Sequence, residues 1–173
     1  MQILGLAPQR VAMQIAAAMA LLLIGSVFWA GHSLGGLPTA AMAGFAALSM
    51  PVLMFFGRLG TSDVHVAGWI ALAVAGALWA MRPMRRSPGL VRQLIGWLIC
   101  GIALGMGTLT AGPTAVPPVV LPLAVMSMLC PRRLGHTLGV IAAIAVAVLI
   151  VTPWSIHVHE SMPDGWEQWL VAL

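Results

Sequence analysis

Charge is what this sequence most lacks. Of its 173 residues only 7% are Asp, Glu, Lys or Arg, and there is neither lysine nor tyrosine. A soluble domain carries roughly 25% charged residues, enough to dress its surface in water. Here 61% of residues are hydrophobic and the mean hydropathy is +1.02, so a lone water-soluble globule is excluded. The basic balance, eight arginines against four acids, does not indicate nucleic acid. Those arginines fall in short runs between apolar segments, as orientation determinants do, and no basic groove with interleaved aromatics is present.

Cysteine is scarce too. Cys100 and Cys130 lie within or at the end of apolar segments and read as small buried hydrophobes. A disulfide would need both at one depth on the exterior side, which the topology below does not favour. Missing as well are the marks of an enzyme: His-Glu-x-x-His, Gly-x-Ser-x-Gly, a phosphate loop, or acids clustered at a membrane face. The expectation is therefore a protein that is not an enzyme. No Asp, Glu, Lys or Arg lies deep in an apolar segment, although such groups ordinarily mark ion sites and proton relays. That argues against a self-sufficient ion-coupled carrier and for a facilitator, a subunit or an assembly factor.

What is present is long apolar runs. At about 20 residues per crossing the chain has room for roughly six. The sequence predicts a single polytopic all-α integral membrane domain over residues 1–173, with transmembrane helices at about 11–30, 38–56, 64–81, 90–111, 114–130 and 134–153 and an interfacial tail at 155–173. Arg10 followed by an apolar run resembles a signal peptide, but the run is about 20 residues long with no persuasive small-residue cleavage site, so a retained helix is expected. Gly31 to Gly36 reads as a turn. Pro51 inside the second helix predicts a kink on a packed face.

With six crossings, Arg82, Arg85, Arg86, Arg92, Arg132 and Arg133 share one side, leaving Arg10 and Arg58 on the other. Arginine accumulates on the cytoplasmic side, so both termini are expected to face the exterior of a bacterial-type inner membrane. Pro38 and Pro51 are spaced like Pro118 and Pro131, and Arg-Leu-Gly follows each pair at residues 58–60 and 133–135. Two inverted three-helix repeats are a candidate arrangement, with chance recurrence in a low-complexity alphabet as the alternative.

Gly101 and Gly105, and Gly135 and Gly139 followed by Ala143 and Ala147, form small-residue stripes at four-residue spacing. Such faces allow close helix packing, within the bundle or across a homo-oligomer. Gln14, Thr108, Thr110, Ser127 and Thr137 are the polar groups placed to line a path, or simply to bond between helices. His157, His159 and Glu160, with Met162 beside them, are the one constellation with metal-ligand chemistry; imidazole with carboxylate suits zinc or copper. No other cofactor is indicated.

The run from Pro117 to Trp154, an apolar segment, then Pro131-Arg-Arg-Leu-Gly-His-Thr-Leu-Gly139, then an Ala/Val/Ile helix, resembles the membrane part of the fusaric-acid-resistance and aromatic-acid-exporter family. Arg10 opening an alanine-rich helix is similar to that family as well. The chain departs from it in lacking the large soluble cytoplasmic region and in its expected terminus orientation. The resemblance implies efflux of small organic acids by an oligomer. The function expected from sequence is thus transport-type passage of a small organic solute, alone as an oligomer or with a partner membrane subunit. The alternative is a non-transport subunit or assembly factor with an exterior histidine-based metal site.

Overall fold

The computed structural model describes residues 3–51, 62–81, 89–129 and 133–161. Their regular structure is entirely helical: α1 (Ile3–Leu48), α2 (Ser62–Met81), α3 (Leu90–Ala111), a 3-10 turn (Gly112–Ala115), α4 (Pro117–Leu129) and α5 (Arg133–Ser161). Four of these helices are long and apolar enough to cross a membrane, and α4 is a shorter apolar helix. The protein is a multi-pass α-helical membrane protein.

α1 is two arms rather than one rod. Gly36 has φ 79° and ψ −162°, a left-handed backbone that residues with a Cβ rarely adopt. A Cβ placed on Gly31 would lie 3.0 Å from the Cα of Ala40 and 3.1 Å from the Cβ of Ala43. In a straight helix residues 31 and 40 are about 14 Å apart along the axis. The chain therefore folds back at Gly36, and residues 37–48 return along residues 3–35. Counting both arms, the described residues hold six helical segments.

The boundaries differ from the sequence expectation at five places, the first being that α1 begins at Ile3 rather than about residue 11. Helix persists through Gly31, which is buried in the hairpin, so the turn contracts from 31–36 to Gly36. The second arm stops at Leu48 rather than bending through Pro51, because the residue before a proline is driven from helical geometry. Residues 52–56 of that expected helix lie outside the described residues. The fifth helix begins at Pro117 after a 3-10 turn, since Pro117 and Pro118 supply no N–H for a longer start. α5 runs through Pro153 to Ser161, so residues 155–161 extend the helix; 162–173 lie outside the described residues. Pro153 is exposed there, and the helix continues although the proline leaves the carbonyl of Leu149 without its N–H donor.

Close approaches give the directions. α2 runs parallel to the first arm of α1, with Gly68 against Met19 and Trp79 against Trp29. α3 is antiparallel to α2: a Cβ on Gly96 would lie 2.7 Å from the Cβ of Ala80, while one on Gly107 would lie 3.3 Å from the Cβ of Trp69. α5 is parallel to α3, since Gly139 meets Trp97 near one end and Gly105 meets Ile150 near the other. The core lies where α2, α3, α4 and α5 meet, built from Ala77, Trp97, Cys100, Leu104, Val119 and Ala143. Small residues dominate because in lipid, helices associate by close van der Waals packing rather than by escape from water.

Two turns share one conformation. Gly112 (φ 71°, ψ −163°) ends α3 as Gly36 ends the first arm, and each is followed by a short helix of the reverse direction. In both halves the long first segment packs on the third, α1 on α2 and α3 on α5.

Candidate functional site

The α3–α5 seam brings backbone against backbone. A Cβ on Gly101 would lie 2.7 Å from both the carbonyl oxygen of Ala143 and the Cβ of Val146. One on Gly105 would lie 3.1 Å from the Cβ of Ile150, and one on Gly139 would enter the indole of Trp97. Gly135 is different: nothing stands within 4 Å of its Cβ direction, and it lies at the exposed start of α5.

Toward the far end of this seam the chain from Val116 into α4 walls one side of a recess between α3 and α5. The recess has a volume of about 290 Å³, is open on the side of the exposed Ile144 and Val148, and is lined as well by Leu104, Val116, Val120 and Val151. Thr108, Thr152 and Ser155 add hydroxyls to that lining. Each hydroxyl donates to its own helix, Thr108 to Leu104 O (2.8 Å), Thr152 to Val148 O (2.7 Å) and Ser155 to Thr152 O (2.8 Å). Their hydrogens are committed, and what they offer a ligand is acceptor lone pairs. The chamber is therefore oily, with a rim that accepts hydrogen bonds.

Of the residues expected to line a path, only Thr108 reaches this cavity. Gln14 is exposed on α1, Thr110 lies at the surface of α3 and bonds to Gly107 O (2.8 Å), and Thr137 is exposed on α5. Ser127 is buried on α4 and bonds to Ala124 O (2.8 Å), away from the chamber. Thr152 and Ser155 were not among the expected residues. Their signal is a face of α5, at 144, 148, 151, 152 and 155, that recurs at helical spacing but has meaning only once α3 is known to be its neighbour.

The expected metal set is dispersed by the same helix extension. Residues two apart on a helix point to different sides, so His157 and His159 cannot share an ion. Both, with Glu160, are exposed, and no group of three His, Cys, Asp or Glu side chains comes together among the described residues.

Charge is divided between the two ends. Asp63 opens α2 and Glu160 sits in the last turn of α5, both at one end of the bundle. Arg92 lies at the opposite end, where the sequence also brings Arg82, Arg85 and Arg86 between α2 and α3. Its guanidinium carbon stands 5.8 Å from the centre of the Trp79 ring, which in turn meets Trp29 at 5.6 Å. Nε and Nη2 of Arg92 are buried with no hydrogen-bond partner, as are the hydroxyls of Ser26 and Ser33 on the first arm of α1.

No family model matches the chain, and no solved structure matches it. The resemblance of residues 117–154 to the fusaric-acid-resistance family is thereby neither supported nor opposed. Curated relatives do match. The chain is similar to an undecaprenyl phosphate-alpha-4-amino-4-deoxy-L-arabinose arabinosyl transferase of Sodalis glossinidius, 32% identical over 128 residues, which is 72% of this chain and 22% of the relative. Proteins of the same name from Aeromonas salmonicida and Pseudomonas fluorescens are 33% and 34% identical, over 73% and 70% of this chain and 22% of each relative. The chain thus spans about a fifth of the length of the relatives it matches. These similarities overturn two expectations. Neither solute transport nor the absence of enzymatic character agrees with relatives that are named as transferases acting from a lipid-linked sugar.

Proposed function

We propose that this chain is membrane-embedded sequence of a bacterial inner-membrane glycosyltransferase, and that it holds part of the hydrocarbon of a polyprenyl-phosphate-linked sugar donor. The cavity between α3, α4 and α5 carries this reading, taken with the similarity to transferases whose name specifies such a donor. A polyprenyl carrier presents a long branched hydrocarbon, one phosphate and a polar sugar. The aliphatic lining accepts the first by the same dispersion contacts that pack the bundle. Its volume, about 290 Å³, accommodates a segment of the carrier rather than its whole length. Thr108, Thr152 and Ser155, able only to accept, suit the hydroxyl or ammonium groups of a sugar at the chamber's polar rim.

Sugar transfer from such a donor needs a base for the acceptor hydroxyl and stabilisation of the departing phosphate. The described carboxylates, Asp63 and Glu160, are both exposed and are not assigned that base. The part proposed for this chain is carrier binding. Arginine's cytoplasmic preference puts the Arg92 end inside and the hydroxyl rim toward the exterior, with both termini outside. Outward side chains of α1, Leu21, Leu34, Met42 and Phe45 among them, face lipid or the helices of a second copy or partner subunit.

A photoreactive diazirine analogue of a short polyprenyl phosphate tests the reading on the detergent-purified full chain. Labelling should concentrate on the lining residues of α3 and α5, and Val148→Trp, which fills the chamber, should remove most of it. Equal labelling of Val148→Trp, or label scattered over α1 and α2, would refute carrier binding at this site.

A further inference from the structure

Arg92 presents an unusual electrostatic problem. Nε and Nη2 are the two nitrogens on one edge of the guanidinium, the edge whose parallel N–H bonds match a carboxylate or phosphate. Both are buried and unpartnered, yet the Trp79 face beneath supplies only the diffuse attraction of a π-cloud. A donor pair withdrawn from water without acceptors is costly, and a charged one more so, which is why buried arginines are found with anions.

No carboxylate among the described residues is placed to fill that role. The four acids are Asp63, Glu160, Asp164 and Glu167. Asp63 begins α2 while Trp79 nears its end, about 24 Å along the helix axis. Glu160 ends α5 at the same far face, and Asp164 and Glu167 follow it in sequence. Around Arg92 the sequence adds only cations, Arg82, Arg85 and Arg86. Among the described residues the fork has no acceptor, and a ligand from outside the chain would supply one.

The surroundings say what kind. Trp29 and Trp79 stand near the ends of apolar segments, the depth at which indoles meet lipid headgroups. Arg92 as a whole is only partly buried, so part of its side chain reaches the bundle surface beside the covered Nε–Nη2 edge. Basic pockets between transmembrane helices at this depth recognise phosphate headgroups. We infer that Arg92, seated on Trp79 between α2 and α3, binds the phosphate of an anionic membrane lipid through its Nε–Nη2 edge. This site is separate from the chamber at Thr108, about 24 Å away along α3, and does not rest on the glycosyltransferase reading.

Intrinsic tryptophan fluorescence of the full chain in maltoside micelles tests it, because an anion on the guanidinium changes the charge beside Trp79. The probes are phosphatidylglycerol, phosphatidylcholine and inorganic phosphate, titrated into wild type, Arg92→Gln and Arg92→Lys. Phosphatidylglycerol should bind wild type most tightly, with Arg92→Gln at least about tenfold weaker. Arg92→Lys, which keeps the charge and loses the fork, should fall between them. Wild-type affinity for phosphatidylglycerol in either variant would overturn the site. Arg92-dependent binding of inorganic phosphate with none of phosphatidylglycerol would overturn the lipid as its source. If Arg92→Gln fails to fold, the Arg92→Lys comparison decides alone.

Discussion

The α3–α5 seam allows a graded test, because its four stripe glycines differ in the space around them. Replacing Gly101 by alanine puts a methyl 2.7 Å from Ala143 O and from Val146 Cβ. Carbon atoms in ordinary contact are about 3.5–4.0 Å apart, so the helices must separate by about 1 Å, and overpacking of this kind costs about 1–3 kcal/mol. Gly105→Ala meets Ile150 and Ala147 at 3.1–3.3 Å, which a few tenths of an ångström relieve, and should cost less than about 1 kcal/mol. Gly139→Ala drives its methyl into the Trp97 ring and should be the most damaging. Gly135→Ala meets nothing and should be neutral or slightly stabilising, since alanine is the better helix former by up to about 1 kcal/mol. SDS-induced unfolding in mixed micelles, followed by circular dichroism, would order the four midpoints. Pairing Gly139→Ala with Trp97→Leu in a double-mutant cycle should return a coupling of about 0.5–3 kcal/mol. Equal midpoints for Gly101→Ala and Gly135→Ala would refute the seam.

Gly36→Ala and Gly112→Ala, which force a Cβ into left-handed backbone, should each lose about 1–2 kcal/mol in the same assay, while Gly25→Ala, with nothing within 4 Å, should not. Thr108→Val keeps the shape of the chamber wall and removes a bond made only to Leu104 O of its own helix, so stability should change by less than about 1 kcal/mol. A larger loss would mean the hydroxyl serves another helix. Polyprenyl-phosphate labelling blocked by Val148→Trp and lipid binding weakened by Arg92→Gln complete the set.

The helical membrane architecture was readable because few residues are charged and apolar segments of bilayer length alternate with glycine, proline and arginine punctuation. The spacing of Gly101, Gly105 and Gly139 also pointed toward a tight seam, but spacing alone could not separate Gly135, whose neighbour is missing at the entrance to the interface. Helix ends were harder. Pro153 read as a terminus because proline usually is one, and the extension past it is what turns His157 and His159 to different sides. The chamber was illegible for a deeper reason: its hydroxyls come from α3 and α5, and that these two are parallel neighbours is a fact of assembly rather than of any local pattern. The activity named for the relatives was not read from the sequence: the described residues carry no acid–base constellation, and the chain spans about a fifth of those relatives.

The seam also determines how the chamber beside it can be entered. Along Gly101 and Gly105 α3 contributes no side chain, so its backbone sits directly against Ala143, Val146, Ala147 and Ile150 of α5. The two helices act like the spine of a book, fixed along one edge. α4, 13 residues long, is joined to α3 through Gly112 and the 3-10 turn and is held on the core by Val119 and Leu123. The side of the recess left open lies at Ile144 and Val148, where a bulky chain would reach it from the lipid without displacing α4.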